Sequence, residues 1–441
     1  MDISLAALGF GLVGAFVVAV MTGRLTASVA LILVPIVFAV LGGFTSQLGA
    51  MVVAGFRELA PTAAMLIFAI LYFAVMMEVG LFNPIVRRVV GAVRGDPVRA
   101  SVATALLALI VSLDGDGATT IMVTVTALLP VYVRLRMNTL ILATLIMTAN
   151  MIVNIAPWGG PTARAAAALK LDPAQIFVPL IPAMLFGALA TIGLAYFLGR
   201  AERVRLRSVA ASEAEQIPSA VPNGNPAVVD DARPVQERNF VFNLLLTLVV
   251  MICVVLNVLP LAVLFMVGFA VALLVNFPDI KSQRELLKGH ALNVVNVAVL
   301  LFAAAVFTGV LTGTGMVEAM ALALMKAIPD ALGPHLAVVT AIIAMPLTFF
   351  MSNDAYYFGV LPVIAQTAAN YGVPAVEVAR ASLLGGPVHG LSPLLAAMYL
   401  LCAMLNLEPG AFQRFALKWA VLVSLAMTMG ALVTGAVSLV L

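Results

Sequence analysis

The octet Leu113-Asp114-Gly115-Asp116-Gly117-Ala118-Thr119-Thr120 constrains this chain more than any other stretch. Two carboxylates sit between glycines. The twelve residues before Asp114, Val102 to Leu113, are apolar except for Thr104 and Ser112, and mostly apolar residues follow through Val133. An ionised carboxylate inside a bilayer costs several kcal/mol even on lenient scales. Irregular backbone survives at that depth only where protein buries it or where it lines a cavity. The flanking runs are too short for two comfortable spans of about 20 residues each. The stretch therefore predicts a re-entrant hairpin that enters and leaves on one side, with Asp114 and Asp116 at its tip. A polar surface loop between two short spans is the alternative.

Composition sets the solvent. Of 441 residues, 63% are hydrophobic and only 10% are charged, more apolar than a soluble domain can bury. The expected fold class is an all-α polytopic membrane protein, with the lipid bilayer as its surroundings and no nucleic-acid partner. Cys253 and Cys402 both lie in apolar runs and give no disulfide framework. The N-terminal residues lack a basic n-region, so the first apolar run is expected to be a retained span.

The order of runs repeats. In residues 1–198, apolar runs cover about 4–21, 25–44 and 60–82. A basic amphipathic stretch follows over 83–99, then the hairpin over about 100–133. A run over 138–157 is broken at Pro157-Trp158-Gly159-Gly160-Pro161 before the chain turns apolar again, and a last run covers 175–198. Residues 199–239 are rich in Arg, Ser, Ala, Pro and Asn without periodicity, and read as a linker. Residues 240–441 then repeat the order: runs at 240–257 and 260–277, a basic loop with Lys281, Arg284 and Lys288, a run over 292–313, and an interfacial stretch from Met316 to Ala331. A second hairpin, about 334–371, has Met351-Ser352-Asn353-Asp354 at its tip, and a second break lies at Leu384-Gly385-Gly386-Pro387-Val388-His389. Gly159-Gly160-Pro161 matches Gly385-Gly386-Pro387 directly. Paired interruptions of this kind mark secondary transporters. Each half has five crossing spans and one hairpin, and an odd number makes the two halves inverted repeats.

Charge orients the chain. With both termini outside and the linker cytoplasmic, 18 of the 23 Lys and Arg residues fall on the inner side. Arg57, Arg164, Lys170, Lys326 and Arg380 are the exceptions. The hairpins then enter from opposite sides, and their tips can meet at the midplane with the two breaks.

Four polar elements converge in this reading. Broken helices present free amides to anions and free carbonyls to cations. Asp114, Asp116 and Asp354 supply hard oxygen ligands suited to Mg²⁺ or Ca²⁺. Thr119, Thr120, Ser352, Asn353 and Thr162 add neutral donors and acceptors, and Gly159, Gly160, Gly385 and Gly386 leave backbone exposed to substrate. Capping of the tips competes with a binding role for Thr120 and Asn353. Arg164 can hold a carboxylate in a fork, or else snorkel to the interface. His389, between a break and a proline, is expected to bind substrate or carry a proton, as are Asp114 and Asp116 for the proton role. Asn150 and Asn154 either line the cavity or bond between helices.

The acids limit the cargo. Three aspartates and one arginine sum to about −2, and a free tricarboxylate would bring the site to about −5 at low dielectric. A tricarboxylate arriving with a divalent cation carries only about −1, and protons can neutralise the aspartates. Metal–anion–proton symport follows as the expectation. A proton- or sodium-coupled carrier of a free di- or tricarboxylate is the alternative. An intramembrane aspartyl protease is a remote one, since Asp116 sits in Gly-Asp-Gly but no Tyr-Asp partner occurs.

Leu113 to Thr120, Pro157-Trp158-Gly159-Gly160-Pro161-Thr162-Ala163-Arg164 and Asp354-Ala355-Tyr356-Tyr357-Phe358-Gly359-Val360-Leu361-Pro362 resemble the CitMHS family of citrate–divalent-metal–proton symporters. The resemblance covers nearly all of the chain outside the linker. It implies the elevator-type ion transporter fold in a homodimer, with scaffold spans at about 1–99 and 240–332 and transport parts at about 100–198 and 333–441. It also implies a bacterial-type inner membrane, a citrate–metal complex and protons as partners, no permanently bound cofactor and no enzymatic activity. Related sodium–dicarboxylate carriers place Ser-Asn-Thr at both tips. Here the tips read Asp-Gly-Asp-Gly and Ser-Asn-Asp, which argues against sodium coupling and adds acids where a divalent metal can bind.

Overall fold

Among the described residues, all regular structure is helical. The computed structural model describes residues 4–214, 239–326 and 328–440, so the middle of the expected linker, 215–238, lies outside the described residues. The first half runs α1 (Leu5–Met21), α2 (Ala27–Leu41), α3 (Leu48–Glu78), α4 (Asn83–Ala92), α5 (Pro97–Val111), a 3-10 turn (Ser112–Asp114), α6 (Gly117–Arg134), α7 (Thr139–Val153), α8 (Gly160–Leu169) and α9 (Pro173–Ala214). The second half runs α10 (Phe240–Val255), α11 (Leu261–Asn276), α12 (Ile280–Gly313), α13 (Met316–Met325), a 3-10 segment (Asp330–His335) and α14 (Leu336–Phe350). A π-helix (Ala355–Val360), α15 (Leu361–Ala369), α16 (Ala375–Leu383), α17 (Gly386–His389), α18 (Ala396–Leu405) and α19 (Pro409–Val433) complete it. Seven helices among the described residues are long and apolar enough to cross a membrane.

Three expectations from the sequence need correction. The third run does not begin near residue 60: α3 starts at Leu48 and passes through Pro61. A proline removes one backbone donor, and tertiary packing carries a long apolar helix across that gap. The stretch with Lys281, Arg284 and Lys288 is not a loop but the first turns of α12. Asp279 caps it, accepting from the Ser282 amide at 2.8 Å and the Ser282 hydroxyl at 2.6 Å. The helix of the last first-half run does not stop at residue 198: α9 continues to Ala214. Its extension is held by side chains. Arg203 donates to Asp96 at 2.6 Å, and buried Glu202 accepts from the Asn138 amide at 2.7 Å and from Arg205 at 2.6 Å.

Packing divides the helices between two apolar clusters. One is built mainly from α5–α9 and α14–α19. The other is built mainly from α1–α3 and α10–α13. In the second cluster α3 lies along α12, and the packing of α2 on α12 is answered by α11 on α3. In the first, α9 packs on α5 and on α19. Trp158 and Phe358, from the first break and the π-helix, insert into the second cluster and join the two.

Candidate functional site

The first tip is a closed turn. After the 3-10 turn, Gly115 adopts a φ of +77°, where a side chain is strained, and a Cβ there would lie 2.8 Å from Cδ1 of Trp158. Asp114 Oδ1 accepts from the Asp116 amide at 2.9 Å. Asp116 caps α6, accepting from the amides of Ala118 and Thr119 at 3.2 Å and from the Thr119 hydroxyl at 2.6 Å. Thr120 donates to Ser112 at 3.2 Å, and Asn150 Nδ2 donates to both hydroxyls at 3.3 Å. This buried knot ties both arms of the hairpin to α7. The Trp158 indole donates to the Leu113 carbonyl at 2.9 Å and packs against Phe73, Phe177 and Phe265, so its role is packing beside the break.

The first break separates α7 from α8. Thr162 donates to the Ile155 carbonyl at 2.7 Å, closing the turn. A Cβ on Gly159 would lie 1.9 Å from the Asn154 carbonyl oxygen, so only glycine fits where the chain doubles back. One turn into α8, Arg164 Nη1 donates to the Gly160 carbonyl at 3.1 Å, and its Nε donates to Asp354 Oδ1 at 2.7 Å.

Asp354 belongs to the second tip, where Ser352 Oγ accepts from the Ala355 amide at 3.2 Å. Asn353 Oδ1 is buried without a hydrogen-bond partner. The chain leaves this tip as a π-helix rather than an α-helix, a distortion common at functional positions. At the second break, a Cβ on Gly385 would lie 3.0 Å from the Met345 amide, and one on Gly386 3.3 Å from the Met151 carbonyl oxygen. These glycines let the break lie against α14 and α7. His389 is buried, its Nδ1 donates to the Thr348 carbonyl at 2.7 Å, and its Nε2 has no partner.

The structure thus brings together the second tip, the first break and the second break. Between them lies a cavity of about 10 Å³, bordered by Met151, Pro161, Thr348, Tyr357, Ser382 and His389. It has room for roughly one water, not for a tricarboxylate. The first tip joins this centre through α7, where Asn150 Oδ1 and Asn154 Oδ1 are also buried without partners. Among the described residues no three His, Cys, Asp or Glu side chains converge as a metal site. Asp114, Asp116 and Asp354 therefore do not form one ligand set in this conformation, because each has a nearer donor: backbone amides for the first two and a guanidinium for the third. Thr119, Thr120, Thr162 and Ser352 are occupied in turns and caps for the same reason.

Tyr357 and Ser382 were not assigned to the site from sequence, yet both border the cavity. The signal was faint: a Tyr-Tyr pair that begins two residues past a polar tip inside an apolar run. Lys170, one of the cations outside the inner side, forms a 2.7 Å ion pair with Glu58 of α3.

Paired helix breaks, two hairpins with polar tips and many apolar helices define a multi-pass membrane transporter. The chain belongs to the CitMHS citrate transporter family, which matches residues 12–385. A Bacillus subtilis (strain 168) protein named "Citrate transporter" is 50% identical over 434 residues, 98% of this chain and all of that protein. Another from the same organism, named "Mg(2+)/citrate complex secondary transporter", is 44% identical over 438 residues, 99% of each chain. The crystal structure of the Alcanivorax borkumensis YdaH transporter, described as having an unusual topology, shares the fold, with a TM-score of 0.53 at 14% identity over 89% of this chain and 88% of that one.

Proposed function

We propose that this chain imports citrate as a complex with a divalent cation of the Mg²⁺ or Ca²⁺ type, coupled to protons. The observation that carries the reading is the 2.7 Å ion pair between Arg164 of the first broken helix and Asp354 of the second tip. It puts a carboxylate-binding fork and a hard oxygen ligand side by side between the two halves. Asp114 and Asp116 at the other tip keep the region net negative, so a free tricarboxylate is repelled and a metal-bound one is not. A relative at 44% identity that bears the name of a Mg²⁺/citrate complex transporter supports the same cargo. Asp114, Asp116 and His389 are the groups proposed to carry protons, and Thr119, Thr120, Thr162, Ser352, Asn353 and the paired glycines to line the loaded site.

The two halves are read as inverted repeats of a homodimeric elevator, with the cluster around α3 and α12 as scaffold and the cluster around α5–α9 and α14–α19 as the moving part. Both termini lie outside and the linker lies in the cytoplasm, as the charge distribution favours. Loading requires the centre to open beyond the small cavity described above.

Uptake of labelled citrate into proteoliposomes tests this. Uptake should need Mg²⁺ or Ca²⁺, should stop with EDTA, and should rise when the outside is made acidic. Uptake undiminished by EDTA would leave a carrier of free carboxylates instead.

A further inference from the structure

The way Arg164 holds Asp354 has a consequence for how cation and citrate are linked. The contact is single: Nε donates to Oδ1, while Nη1 turns away to the Gly160 carbonyl. The Nε/Nη2 edge of a guanidinium is a two-toothed fork that fits a carboxylate with both oxygens engaged, and such pairs are stronger than one-point contacts. Asp354 is therefore seated on the fork without filling it. Both side chains are reachable, at 22% and 18% exposure. Asp354 is also the one tip carboxylate without a backbone amide among its bonds, since Asp114 and Asp116 are held by their own turn.

We infer that Asp354 acts as a stand-in for the substrate's carboxylate on Arg164, and that citrate displaces it from the fork. The displaced Asp354 is then a part-buried anion without a counter-charge, which is costly. The divalent cation arriving on citrate removes that cost by taking Asp354 as an oxygen ligand. Citrate without the cation meets the displaced carboxylate and is rejected. Asp354 is thus the residue that makes the cation obligatory, a specificity role distinct from merely adding negative charge. The inference rests on the metal–citrate reading above.

The test is equilibrium binding of labelled citrate to the purified full-length protein, with Mg²⁺ or with EDTA, for the wild type, Asp354→Asn and Asp354→Ser. The two variants guard against misfolding of either. The wild type should bind citrate at least about tenfold more tightly with Mg²⁺ than without it. Both variants should bind metal-free citrate about tenfold to a hundredfold more tightly than the wild type, the range of one charge-assisted hydrogen bond. In an Arg164→Gln background, Asp354→Asn should bring no such gain, because no fork is left to vacate. Metal-free affinity unchanged in both variants overturns the inference while leaving metal–citrate transport standing. A gain that persists in the Arg164→Gln background also overturns it, since long-range repulsion alone then explains the effect. Wild-type binding indifferent to Mg²⁺ fails the underlying reading instead, and the inference with it.

Discussion

The two hairpin tips stand at the same point in the order of each half, and both carry acids and hydroxyls, yet they use them differently. At the first tip Asp114 and Asp116 bond within their own turn, and Thr120, Ser112 and Asn150 knot the hairpin to α7. At the second tip one hydroxyl caps, Asn353 Oδ1 is left open, and Asp354 reaches across 190 residues of sequence to Arg164. The first tip is self-contained and the second is tied to the opposite half. A tip whose polar groups bond locally resists change. A tip held by one cross-half ion pair can be released by whatever competes for that pair.

The largest expected effect lies at the second tip. Arg164→Ala removes the fork and strands Asp354, and should raise the Km for citrate uptake by about tenfold to a hundredfold, as for loss of a charge-assisted hydrogen bond. An unchanged Km would erase the contrast between the tips. At the first tip the expected losses are in stability. Trp158→Phe keeps most of the packing but deletes the bond to the Leu113 carbonyl, worth about 1–2 kcal/mol. Thermal unfolding should shift down and amide exchange around residues 113–117 should quicken; protection as in the wild type would show that the indole does not anchor the tip. Asp116→Ala removes the α6 cap at about 1 kcal/mol, while Asp116→Asn keeps most of it. If the two variants unfold alike, capping is not the main work of Asp116.

The smallest effect lies at the foot of the first hairpin. The Arg203 hydrogen bond holds the Asp96 carboxyl below the usual carboxylate range, in spite of some burial. A lowered folded-state value stabilises above the unfolded pKa and fades as pH falls through the folded one. The difference in unfolding temperature between wild type and Asp96→Asn should thus be greatest near neutrality and should close below about pH 4. A gap that widens on acidification would mean that Arg203 does not set this contact.

The hairpins and breaks were legible because the bilayer penalises what they contain: carboxylates, paired glycines and prolines inside apolar runs. The extent of α9 was not, since Arg203 and Glu202 find their partners, Asp96 and Asn138, more than 60 residues away. Nor was the π-helix, which nothing in Ala355 to Val360 announces, nor the engagement of Asp116 by its own helix.

By itself the sequence determined that this chain is a helical membrane protein with repeated order, two tips and two breaks, because hydropathy and charge act on each segment separately. Tertiary structure alone decided that Arg164 meets Asp354, that His389 turns to Thr348, and that among the described residues the three aspartates do not gather into one metal site, with a small cavity at the centre. Those outcomes depend on which donor lies nearest in space, and nearness across helices far apart in the chain is a property of packing.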